Sequence, residues 1–243
     1  FDGVDDYVSV PYNVSGSYTK EAWVNPSSLV GFPNILSGTS SALYINGGLL
    51  TAGHGFPFTD VQDNVALPTG TWTHVAVTYD ASAQKMILYK NGLSVASTMG
   101  VSAVTDFSSF MGYLGSAGTF FEGDIDEVRL WNLVRTPAEI LSSMSCNLTE
   151  DEFGLMAYYK FNQGAAGGAN TSITSLTDSQ DKCFPYTNTT LNNFSLTGAA
   201  SNFIAPGATV SGTCSGLFPN IAITGNGNCI AIGDNTPDVT DFT

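Results

Sequence analysis

The stretch MILYKNGLSVA, residues 86–96, decides the fold. Two short runs rich in apolar and aromatic residues flank Asn91-Gly92. That dipeptide supplies the positive φ angles of a tight primed turn, so the segment reads as a β-hairpin. Working outward, Thr71 to Tyr79 alternates: Trp72, His74, Ala76 and Thr78 share one face, and Val75, Val77 and Tyr79 the other, the period of a strand. Ala42–Ile45, Asn46-Gly47-Gly48 and Leu49–Ala52 read as a second hairpin. Tyr7–Val10 stops at Pro11, and Tyr18–Val24 stops at Asn25-Pro26. Ile125–Trp131, Leu155–Phe161 and Leu191–Leu196 complete the set. One helix is expected over Pro137–Met144, with Thr136 as N-cap, Pro137 in the first turn and Glu139 closing a capping box. About ten strands with one short helix predict an all-β sandwich, not a parallel α/β sheet.

Composition narrows the function. The 243 residues carry 7 Lys and Arg against 21 Asp and Glu, a net charge of −14. Seven scattered cations cannot line a nucleic-acid groove, and an anionic membrane surface repels this chain. No apolar run approaches the ~20 residues of a membrane span. Phe1 to Val4 show no basic-then-apolar signal pattern. A chain that starts and ends so abruptly is expected to be a piece of a larger, multidomain protein. A jelly-roll-sized domain over 1–215 is expected to be followed, over 216–243, by a Gly/Asn/Asp-rich linker or the start of another β-domain.

Cys146, Cys183, Cys214 and Cys229 form no C-x-x-C pair, which argues against a zinc knuckle or a thioredoxin-like site. An even count in an acidic, Thr/Asn-rich chain predicts disulfides and an oxidising, extracellular or cell-surface setting. The sequence leaves all three connectivities open. Five N-x-S/T sequons begin at Asn13, Asn147, Asn170, Asn188 and Asn193 and matter only in a glycosylating host.

The order of motifs carries a resemblance. FDGVDDYVSVP (1–11), EAWVNP (21–26), TWTHVAVTYD (71–80), LYKNG (88–92), FEGDIDEVRLWN (121–132) and RTPAEI (135–140) together resemble the concanavalin A-like laminin G domain of secreted bacterial proteins. GLMAYYKFNQG (154–164), LTD (176–178) and TLNNFSLTGAASNF (190–203) resemble strands that precede the first motif in many relatives, so a permuted closure is expected. The tail 220–242 resembles the opening of a choice-of-anchor D domain. The resemblance implies a jelly roll of two antiparallel sheets that binds carbohydrate, matrix or another extracellular protein, often with calcium. It also implies that Cys183 pairs with Cys229, both standing where relatives have other residues, which leaves Cys146 with Cys214.

Candidate site residues follow. Trp23, Trp72, Tyr79, Tyr89 and Trp131 read as packing residues, and His74 as a hydrogen-bonded sheet position. His54, Phe56 and Asp60 lie in a Gly-rich, aromatic loop that reads as a ligand-binding rim, with Asp63 nearby. Asp2, Asp5 and Asp6 open the chain, and Glu122, Asp124, Asp126 and Glu127 cluster later. In jelly rolls of this kind the first and last strands are neighbours, so the two clusters are expected to meet. Converging carboxylates call for a cation. The resemblance points to calcium held by Asp2, the Gly3 carbonyl and Asp126. The spacing E-x-D-x-x-E also resembles the catalytic strand of family 16 glycoside hydrolases, with Glu122 and Glu127 as the carboxyl pair. Gly123 departs from that pattern, and no flanking substrate-groove tryptophans are evident. Two histidines make a nucleophilic triad a poor reading, and no phosphate loop is present. The reading is thus a non-catalytic adhesion module, with a ligand-free spacer and a hydrolase as alternatives.

Overall fold

The computed structural model describes residues 1–55, 58–115, 119–148, 152–179, 189–198 and 202–214. Its strands are β1 (Tyr7–Val10), β2 (Tyr18–Pro26), β3 (Asn34–Gly38), β4 (Ser41–Asn46), β5 (Leu49–His54), β6 (Thr59–Ala66), β7 (Thr73–Asp80), β8 (Lys85–Lys90), β9 (Leu93–Met99), β10 (Ser109–Met111), β11 (Gly123–Trp131), β12 (Leu155–Tyr159) and β13 (Thr190–Asn192). The helix α1 spans Pro137–Ser143. The strands form two antiparallel sheets, one ordered β13-β1-β10-β3-β4-β5-β6 and the other β12-β11-β2-β7-β8-β9. The expected all-β sandwich is therefore present.

Local chemistry explains the elements. Asn91 and Gly92 have φ of 50° and 76° and join β8 to β9 in the expected primed turn. In the other hairpin Asn46 pairs with Leu49, so Gly47 and Gly48 make the turn and Asn46 ends the strand. The helix begins as expected: the Thr136 hydroxyl accepts from the Glu139 amide, and the Glu139 carboxylate accepts from the Thr136 amide. Three strands were not legible in the sequence. β3 is fully buried but short and follows Gly31 and Pro33; β10 has three residues; β6, TDVQDNVA, is a polar edge strand whose one strand neighbour in its sheet is β5.

Apolar residues of both sheets, among them Val8, Ile35, Leu43, Val75, Leu88, Val128 and Tyr159, meet in one core. Their burial at ~25 cal/mol per Å² of apolar surface drives the closure of the sandwich. The other face of the six-stranded sheet is covered by α1, whose Ile140 packs on Ala76 and Tyr89. The C-terminal strands close the edge: β12 pairs with β11 and β13 with β1. This places β13, from late in the chain, beside the first motif. A disulfide joins Cys146 to Cys214, with sulfurs 2.08 Å apart. Cys183, Cys229 and the whole 216–243 tail lie outside the described residues.

Candidate functional site

A cleft of about 310 Å³ opens at the closed edge of the sandwich. One wall is the start of β11, with Asp124 and Asp126, and Trp72 just before β7. The other comes from segments after β12: Phe161 to Gly164 and Asn202 to Gly207. Phe1, Leu176, Leu191 and Phe194 contribute an apolar lining, with the Phe1 and Phe194 rings edge to face at 5.1 Å. Phe161 has φ +52°, an uncommon conformation for a residue with a Cβ. Gly207 permits the walls to meet: a Cβ there would lie 2.5 Å from Asp126 Oδ2. That approach lets the Ala208 amide donate to the same oxygen at 2.9 Å.

The cleft is rich in acceptors. Burial raises the Asp124 carboxyl above its ordinary value, and the amide of Asn25 donates to it at 3.0 Å. Burial likewise pushes Asp126 up to about 6, against the bonds from the Ala208 and Glu127 amides. The Asn202 amide nitrogen donates to Asp6, while its Oδ1 has no hydrogen-bond partner. Gln163 donates to the Ser175 carbonyl at 3.2 Å and accepts from the Thr177 amide at 2.6 Å. Aromatic faces beside fixed polar groups are the chemistry of a site for small polar ligands with an apolar face.

The profile of the concanavalin A-like lectin/glucanases superfamily, in its third laminin G form, matches residues 2–141, more than half of the chain. The chain belongs to this superfamily. Among solved structures it resembles a protein from Bacteroides ovatus assigned a carbohydrate-binding role, at 21% identity and a TM-score of 0.60, covering 79% of this chain and 59% of that one. It thus spans less than two thirds of that protein. It also resembles the heptameric SAP-like pentraxin of Limulus polyphemus, at 16% identity and a TM-score of 0.51, covering 60% of this chain and 81% of the pentraxin. No curated protein sequence matches significantly.

The superfamily match ends at 141, so it supplies Trp72, Asp124 and Asp126, while the facing wall comes from the segment beyond it. Trp72 was read as a packing residue, yet it is half-buried at the cleft. Only its position before a strand, not its spacing, distinguishes it from Trp131, which is fully buried. Asn162 and Asn202 gave no signal at all.

The rim reading of His54 is corrected. His54 is fully buried between the sheets, where Tyr18 Oη lies 3.0 Å from Nδ1 and the Tyr79 ring meets it edge to face at 4.3 Å. Burial, reinforced by the Lys20 charge, lowers its pKa to about 4, so it is neutral at pH 7 and out of reach of a ligand. The rim segment is itself part of β6 from Thr59 onward. Asp60 is exposed there, beside the exposed Phe58. Phe56 lies outside the described residues.

The calcium set of Asp2, Gly3 and Asp126 does not converge. The two chain segments do meet, as Asp2 bridges to Glu122 and the Gly3 amide donates to the Phe121 carbonyl at 3.1 Å. Asp126 lies four residues beyond Glu122, about 13 Å at ~3.3 Å per residue, with its carboxylate turned to Ala208 and Glu127. Ligands of one calcium ion lie within about 5 Å of each other. The acids that do gather are Asp2, Asp5 and Asp6, with oxygens within 4.8 Å. There Asp2 Oδ1 already accepts from the amides of Val4, Asp5 and Asp6, and Asp6 Oδ2 from Asp2 and Asn202.

The hydrolase alternative meets a similar obstacle. Glu127 is 4% exposed, held by the Arg129 guanidinium at 3.2 Å and by the Tyr158 hydroxyl. Arg129 in turn bonds the carbonyls of Ser143 and Cys146, so the segment after α1 closes over the pair. No substrate reaches Glu127 there. Glu122 is exposed on the strand's far end, packed against Gly3.

Proposed function

We propose that this chain is a non-catalytic carbohydrate-binding module of an extracellular or cell-surface protein, and that the edge cleft is where the sugar sits. The observation that carries the reading is the cleft's composition. Trp72 and Phe161 offer apolar faces for a sugar's C–H surface, and Asp124, Asp126 and Asn162 offer partners for its hydroxyls. The carbohydrate-binding role assigned to the Bacteroides ovatus protein of the same fold supports it. The Cys146–Cys214 bridge suits an oxidising compartment, and among the described residues no helix is long and apolar enough to cross a membrane.

A glycan array followed by calorimetry tests the proposal. The wild type is expected to give reproducible hits. Trp72→Ala is expected to weaken the best of them at least about ten-fold, the scale of truncating an aromatic anchor at a binding site, with the fold intact by circular dichroism. A second location, the outer face around Asp60 and Phe58, is favoured by that exposed aromatic beside a carboxylate. It predicts instead that Asp60→Ala weakens binding and Trp72→Ala does not. A chain with no hit at all is a spacer.

A further inference from the structure

The cleft wall from Ile204 to Gly207 gains little from packing. These residues are exposed, Ile204 at 52%, so apolar burial does not fix their place. Among the described residues, the chain from Ile204 to Val210 makes one hydrogen bond to a sheet strand, from the Ala208 amide to Asp126 Oδ2 at 2.9 Å. The flanking bonds go elsewhere. The Asn202 side chain donates to Asp6, the Gly167 amide to the Phe203 carbonyl at 3.1 Å, and the Ser211 amide to the Ser145 carbonyl at 3.2 Å. Asp126 is shaped for its one bond. The register of β11 against β2 shifts between Asp126 and Arg129, and Glu127 has φ +53°, the backbone of a bulge. The Glu127 amide donates to Asp126 Oδ1 at 2.9 Å. One oxygen thus fixes the side chain on its own strand, and the other faces the wall. Gly207 completes the fit, because a Cβ there would stand 2.5 Å from that second oxygen and displace it.

Resting on the carbohydrate-binding reading above, we propose that Asp126 is the positioning residue of the cleft: through the Ala208 amide it holds the exposed wall in place, and sugar affinity depends on that bond. Its hold on the wall, more than any hydroxyl it accepts, is what the sugar senses. A binding site whose wall stands in place for only a fraction of the time binds more weakly by that fraction. Asp126 and Gly207 therefore act as a unit, since losing the carboxylate and pushing it aside free the same amide.

The test compares wild type, Asp126→Ala, Gly207→Ala and the double variant. Exchange of the Ala208 amide proton is followed by NMR without sugar. It is expected to speed up about ten-fold in each single variant, the scale of losing a hydrogen bond to a buried carboxyl. Affinity for the methyl glycosides of glucose, galactose and mannose is read from the indole N–H resonance of Trp72. For the glycoside that wild type binds best, each single variant is expected to lose about five-fold as the wall leaves its place. The double variant is expected to match Asp126→Ala alone, since the Cβ added at 207 then meets no carboxylate. Gly207→Ala lies on exposed chain and decides the matter by itself if Asp126→Ala does not fold. An Ala208 amide that exchanges in the variants as slowly as in wild type overturns the positioning role. An affinity loss in Asp126→Ala with none in Gly207→Ala also overturns it, because Asp126 then acts on the sugar directly. Losses that add in the double variant do the same, because Gly207 then acts without Asp126. A wild-type Trp72 resonance unmoved by all three glycosides removes the carbohydrate-binding reading at this cleft and the affinity claim with it, while Ala208 exchange still decides whether Asp126 holds the wall.

Discussion

Glu21→Gln is expected to lower the stability of the fold by about 3 kcal/mol at pH 7, the scale of breaking a buried ion pair. Glu21 lies in β2 on the face covered by α1 and is fully buried. Its Oε2 stands 3.2 Å from His74 Nε2, its Oε1 accepts from the Trp131 indole at 2.8 Å, and Arg129 Nη1 lies 4.0 Å away. Arg129 carries the network to the carbonyls of Ser143 and Cys146, where a cation suits the C-terminal end of the helix. The amide variant keeps one acceptor for Trp131 but removes the negative charge shared by His74 and Arg129, leaving the guanidinium with Glu127 at 3.2 Å as its carboxylate partner. Burial by itself would raise the Glu21 carboxyl; the His74 bond and the Arg129 charge outweigh it and hold the pKa at about 2. A carboxyl depressed in the folded state contributes stability above its unfolded value, and that contribution is lost as pH falls through the folded one. The difference between wild type and variant is thus full at pH 7 and shrinks between about 4.5 and about 2. Urea unfolding at pH 7 and pH 3 measures it. Equal midpoints at pH 7 would show that the network does not stabilise the fold.

Removing the bridge by Cys146→Ser with Cys214→Ser is expected to cost about 4 kcal/mol. The two residues are 68 apart in sequence, and closing a loop of that length restricts the unfolded chain by about this amount. Around it the Cys214 amide donates to the Asn147 carbonyl at 2.8 Å, and Cys214 packs on the cluster of Trp131, Leu148, Leu155 and Tyr158. The closed loop contains Asn202 to Gly207, one wall of the cleft. The double variant should therefore lose sugar affinity as well as stability. An unfolding midpoint equal to that of the oxidised wild type would sink the stability claim. Unchanged affinity would show that the wall is held by Asp126 and Ala208 without help from the bridge.

The sequence by itself determined the architecture. Period-two alternation in β7, the Asn91-Gly92 turn and the Thr136–Glu139 capping box are local signals, since strand, turn and cap chemistry act within a few residues. The motif order pointed to the superfamily for the same reason. Where a strand was short or polar, as in β10 and β6, pairing with neighbours defined it and the local pattern was silent. Site residues were less legible still. His54 sits in a Gly-rich string that reads as a loop, yet its ring is clamped between Tyr18 and Tyr79 from other strands. Asp2 and Asp126 look like partners in an acidic chain, but each is turned away by amides near it in space. Trp72 and Trp131 are alike in sequence, yet Trp72 is half-buried and Trp131 fully buried. The cleft joins residues about 130 apart, 72 with 202, and depends on Gly207 for close approach. Such a site is made by which backbone segments the edge of the sandwich brings together. Alternation and turn chemistry set which way a side chain points along its own strand, and only packing of the late chain against the first sheet strands set what it would face.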